Sequence, residues 1–175
     1  MKNRFTVTLL ILVVVGGVAA SAYYFYRSSV MFPADSVEFY EVEGFLPVKS
    51  LGGGTIHSQE QLETHVETSV PAGWTESDTQ AYGGLPVIDF ETHFLAYVYA
   101  SASGCNVSFK PSLTKIDAST LLFKVEMAAR GLCEVSRAKT IKIAVPVAYA
   151  GYKFIFETEV VASDDPSQRG SKVTY

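Results

Sequence analysis

An almost unbroken apolar run from Phe5 to Tyr26, opened by Lys2 and Arg4 and closed by Arg27, limits what this chain can become. In hydrocarbon every backbone N–H and C=O must be bonded internally. Such a run is therefore stable as a membrane-crossing helix or as a segment in transit through a membrane. A core helix of a domain in water is disfavoured. Val13-Val14-Val15 and Gly16-Gly17 are poor helix formers, and no helical phase offers a polar face.

Two fates are open to this segment. As a cleaved signal peptide it has a charged start at Lys2 and Arg4 and an apolar centre from Leu9 to Val15. Ala20-Ser21-Ala22 then supplies a small-x-small site with the cut before Tyr23. As a retained anchor, residues 5–26 supply the ~20 residues that cross a ~30 Å hydrocarbon core, and Tyr23, Tyr24, Phe25 and Tyr26 stand where an aromatic belt meets the interface. Length and belt favour the anchor. The positive charges ahead of the span keep the N-terminus cytoplasmic in both cases. The remainder is expected in the periplasm or outside the cell, anchored in the inner membrane or secreted after cleavage near Ala22. No cysteine lies near the segment, which argues against a lipid anchor.

The formal charge is −4. Lys2, Arg4 and Arg27 belong to the leader, so the exported part is more acidic still. An acidic surface disfavours nucleic acid, whose binding needs basic patches to displace counterions, and disfavours peripheral attachment to anionic lipid. The only cysteines are Cys105 and Cys133. In an oxidising compartment an isolated pair is expected to form a disulfide, worth roughly 3–4 kcal/mol by restricting the unfolded chain. A redox pair favours Cys-x-x-Cys spacing, and a zinc site needs two further ligands; neither pattern is present.

Residues 28–44, with Pro33 and four acidic side chains, read as a stalk or as a first edge strand. Residues 45–162 read as a single β-rich domain and residues 163–175 as a mobile tail. Phe45 to Leu51 suggests a short strand ended by Gly52-Gly53-Gly54. Without a following Lys-Ser/Thr, that run reads as a flexible turn and not a phosphate loop. Ser58 to Val70 predicts a helix, with Ser58 and Gln61 as a capping box and Leu62, Val66 and Val70 as its apolar stripe. Pro71 and Gly73 stop it, and His65 borders the stripe. Trp74 to Pro86 reads as a loop, and Val87-Ile88-Asp89-Phe90 as the start of the β part.

Strands follow at Phe94–Ala100, at Cys105–Lys110, at Leu121–Met127, at Lys139–Val145 and at Tyr152–Val160. The first is apolar on both sides and hence central; the others alternate. The expected class is α+β, mostly β: an antiparallel sheet or small sandwich of five or more strands with one packed helix, behind the N-terminal hydrophobic helix.

No catalytic, metal or cofactor site is read. His57, His65 and His93 fall in no metal-ligand spacing, and no Gly-x-Ser-x-Gly elbow exists. Asp89 and Glu91 would share a strand face, and their plainer reading is a strand start beside a solvated carboxylate. Trp74 and Tyr82, with Tyr97 and Tyr99, are stacking candidates for a sugar or small molecule, with core packing as the commoner use of such rings.

The stretch His57-Ser58-Gln59-Glu60-Gln61-Leu62 opening a helix, then Val87-Ile88-Asp89-Phe90 before a hydrophobic strand, resembles the C-terminal domain of the bacterial PrcB-type protease-complex lipoproteins over residues 56–160. This chain differs from that family in Ser103-Gly104-Cys105, in its cysteine pair and in lacking a lipid-bearing cysteine. The resemblance implies a non-enzymatic domain that binds or stabilises another envelope protein, and it transfers no site residue. The leading expectation is accordingly an envelope protein with a protein partner. A small-molecule or carbohydrate binding module and an enzyme with an unidentified site are the alternatives.

Overall fold

The computed structural model describes residues 35–48 and 51–175. The apolar leader and its expected helix lie outside them. Among the described residues no helix is long and apolar enough to cross a membrane. Val37–Tyr175 forms one compact unit.

Among the described residues, eight strands make two four-stranded sheets. Sheet 1 has the order β1-β6-β3-β2, from Tyr40–Glu41 (β1), Ser136–Pro146 (β6), His93–Ser103 (β3) and Gly53–Ile56 (β2). Sheet 2 has the order β4-β5-β7-β8, from Asn106–Lys115 (β4), Thr120–Arg130 (β5), Lys153–Ser163 (β7) and Lys172–Thr174 (β8). Helix α1, Gln59–Ser69, and helix α2, Glu76–Ala81, lie between β2 and β3 in the chain.

The strand patterns follow from which faces are covered. Phe94, Ala96, Val98, Ile141, Ile143 and Val145 of sheet 1 meet Leu113, Leu121, Phe123, Val125 and Phe156 of sheet 2 in the main core. The other face of sheet 1 presents Leu95 and Ile56 to Leu62 of α1, with Val66 and Tyr97 packed beside them. With both faces buried, β3 needs a near-continuous apolar run. Among the described residues, sheet 2 is covered on one face only. β5 accordingly buries Leu121, Phe123, Val125, Met127 and Ala129 and leaves the residues between them half-buried. Its open face carries Lys124, which bonds Glu159 at 2.6 Å and Glu126 at 3.2 Å, and Lys172, which bonds the buried Glu157 at 2.7 Å.

Several expectations are corrected. The sheets are not wholly antiparallel: β5 and β7 run parallel, with Leu121 opposite Phe154 and Phe123 opposite Phe156. After β5 the chain crosses to sheet 1 as β6 and returns beside β5, and two reversals restore the original direction. Phe45 to Leu51 forms no strand over its described residues, whereas Gly53 and Gly54 do. A Cβ on Gly53 would stand 2.5 Å from the Phe156 ring and 2.8 Å from the Tyr97 carbonyl oxygen. These glycines let β2 approach its neighbours, where the sequence suggested a flexible turn. Residues 87–90 form no strand. Asp89 instead makes a turn, its carboxylate accepting from Glu91 N–H and Thr92 Oγ1.

The loop expected from Trp74 to Pro86 contains α2, closed at its start by the reciprocal bonds of Thr75 and Asp78. Of the two roles open to residues 28–44, the described part supplies an edge strand: Tyr40 and Glu41 pair with Ala144 and Ile143. Residues 163–175, expected as a mobile tail, turn back so that Lys172–Thr174 pairs with Glu157–Glu159. The predicted α1 is present with Ser58 as its cap. Gln61 Oε1 accepts from His57 N–H and not from the cap residue itself.

Candidate functional site

Cys105 and Cys133 are bonded, with Cα atoms 5.0 Å apart. Cys105 stands just before β4 and Cys133 just after β5, whose last pair is Asn106 with Arg130. The bridge staples the open mouth of the β4–β5 hairpin. Gly131, at φ +82°, completes the turn, and a Cβ there would meet Cys105 Sγ at 2.6 Å.

Trp74 and Tyr82 come together, with ring centroids 5.5 Å apart. Phe45 joins them, stacked at 12° on Trp74 with a 5.3 Å separation and tilted against Tyr82 at 5.3 Å. α2 separates the two flanking rings, and Phe45 N–H donates to Gly84 C=O to bring the third alongside. Tyr82 is 64 % exposed. The indole N–H is already used, donating to Thr79 Oγ1 at 3.0 Å. Tyr97 and Tyr99 lie elsewhere on β3, and Tyr97 packs against His65 and α1.

The histidines do not converge. His57 stacks on Phe94 at 4.7 Å, and His65 bonds the Pro47 carbonyl at 2.8 Å. His93 Nδ1 shares Thr92 Oγ1 with Asp89, at 2.9 Å and 2.7 Å. That chain of three lies on the turn before β3, where Asp89 and Thr92 are exposed. The same Thr92 and Glu91 bonds hold the Asp89 carboxyl below its usual pKa. They complete the turn: the Thr92 hydroxyl, the group bonded to His93, donates to the Asp89 carboxylate within that turn. Among the described residues no group of three or more His, Cys, Asp or Glu is placed to hold a metal ion.

An open groove of about 630 Å³ lies by the disulfide, lined in part by Ser101, Ser103, Asp165 and Gln168. Its polar groups are largely committed to one another. Gln168 accepts from Ser103 N–H and donates to Asp165, and Ser101 bonds Ser136. Such a lining holds the loop 165–171 and leaves little to orient a ligand.

The remaining feature is a sheet edge. On the side of β6 away from β3, pairing is confined to its far end: β1 covers Ile143 and Ala144, and Val42 N–H donates to Lys142 C=O. Residues two apart on a strand aim their backbone groups to the same side. The N–H and C=O of Ser136, Ala138 and Thr140 therefore face that side, where no strand of the described residues pairs with them. Arg137 and Lys139 alternate with them and are exposed, and neither has an ion-pair partner among the described residues. Leu132 and Val135, exposed by 80 % and 51 %, precede this open stretch.

Phe45, Arg137 and Lys139 carry no signal in the sequence that marks them as site residues. The first depends on a contact between distant segments. The other two depend on knowing that β6 lies beside a strand of only two residues. Comparison with protein-family models, with characterised proteins and with solved structures yields no match to this chain.

Proposed function

We propose that this chain is a non-enzymatic bacterial envelope protein, delivered across the inner membrane by residues 5–26, whose β sandwich binds a protein partner. The observation that carries the reading is the edge of β6 from Ser136 to Thr140, unpaired among the described residues, with the exposed apolar Leu132 and Val135 at its head. A row of unpaired backbone donors and acceptors is a template for another strand, and strand addition is a recurrent mode of peptide recognition. The resemblance to the PrcB-type domains points the same way, toward binding or stabilising a neighbour in the envelope.

Photo-crosslinking from position 135 in intact envelopes tests this. A discrete adduct with another polypeptide, absent when the reactive group is moved to Glu126 on the opposite sheet, is the expected result. Recovery of the uncrosslinked protein alone from every edge position rejects the reading.

A second reading has one observation behind it: Phe45, Trp74 and the exposed Tyr82 form a single aromatic surface, of the kind that stacks on a sugar ring. Against it, the rings stack on each other and the indole donor is occupied. We rank it second for that reason.

A further inference from the structure

Resting on the protein-binding reading, we infer that the open edge of β6 takes an extended acidic segment of another polypeptide, with two carboxylates spaced two residues apart set opposite Arg137 and Lys139. Directly opposed residues on neighbouring strands share a face, with Cβ atoms about 4.5–5.5 Å apart. An added strand that bonds to Ser136, Ala138 and Thr140 therefore sets its alternate side chains beside Arg137 and Lys139. Those two cations are two residues apart, exposed and unpaired among the described residues. Carboxylates at the same interval neutralise both.

The same charges exclude the other obvious occupant. Two copies meeting edge to edge through β6 would bring Arg137 and Lys139 against their own counterparts, and like charges directly opposite are destabilising. Charged side chains on an edge are a common defence against such self-association. Here they turn a general template into one selective for acidic strands. The end of the site is fixed too, because the bond from Val42 N–H to Lys142 C=O and the departure of the chain at Gly44, with φ +100°, close the edge beyond Thr140.

The test uses the exported chain labelled with 15N and a synthetic heptapeptide, acetyl-Thr-Thr-Glu-Val-Glu-Thr-Thr-amide, against the same peptide with both Glu replaced by Lys. The acidic peptide is expected to shift and protect the amides of Ser136, Ala138 and Thr140, to bind at least about tenfold more tightly than the Lys peptide, and to weaken as salt is raised. Ala138→Pro removes an outward donor and leaves the bonds to β3 in place, so it is expected to abolish binding. The double variant R137E/K139E keeps every backbone group and is expected to invert the preference toward the Lys peptide. No amide response at millimolar acidic peptide, or equal response to both peptides, overturns the inference. Its failure is distinguishable from failure of the broader reading. An envelope crosslink that persists in R137E/K139E retains a protein partner and places it elsewhere, whereas loss of every crosslink in the wild type removes the partner itself.

Discussion

Single residues set the closeness of the layers. Gly53 sits where β2 passes over Phe156, and its missing side chain is the space that the ring occupies. Gly53→Ala is expected to lower the unfolding free energy by about 1–3 kcal/mol through overpacking. Gly73, at φ +86° with nothing near its Cβ direction, bears only a backbone penalty, so Gly73→Ala is expected to cost about 1 kcal/mol. Paired urea titrations of the two variants separate crowding from conformation. Lys142 offers a second test at this scale. Burial lowers its pKa first and Lys139 lowers it further, while Glu43 opposes. Its ammonium donates to the Gly44 carbonyl oxygen. A base with a lowered folded pKa binds fewer protons than the unfolded chain between the two values, so stability rises with pH across that window. Unfolding titrations from neutral pH up to the ordinary lysine range are expected to show this rise, and Lys142→Met is expected to flatten it.

Among elements, α1 depends on its cap, since Ser58 Oγ accepts from Gln61 N–H at 3.2 Å. Ser58→Ala is expected to cost about 1 kcal/mol, read as a shift in urea midpoint. This helix was legible in the sequence because cap, stripe and stop all agree. So were β3, whose two covered faces demand an apolar run, and β4 to β7, whose alternation marks the core side. Other elements were hidden for physical reasons. α2 spans six residues, too few for a periodicity, although Thr75 and Asp78 spell its cap. Gly53 and Gly54 read as a turn because glycine in a strand is justified only by what approaches it. The parallel pairing of β5 with β7 leaves no mark, since alternation reports a face and not a neighbour or a direction. Trp74 and Tyr82 could be nominated from their chemistry, but Phe45 enters their cluster only through tertiary contact. The edge of β6 could not be seen before the length of β1 was known.

Over the whole molecule, the disulfide closes a segment of 28 residues in sequence separation, and its loss is expected to cost roughly 3–4 kcal/mol. Urea titration with and without reductant, and of the double Cys105→Ala/Cys133→Ala variant, measures it. A value near zero would mean that the hairpin mouth is held by its strand bonds alone. The parallel pair has a different consequence, in time. Sheet 2 cannot be assembled in the order in which the polypeptide is made, because one flank of β5 waits while the intervening segment is laid into the opposite layer. Distant partners of this kind make acquisition of the native state slow, and a waiting flank is liable to wrong associations. The sulfur clasp needs only the hairpin to have met. An oxidant can therefore lock that half-built ribbon into its proper alignment without waiting for its last neighbour.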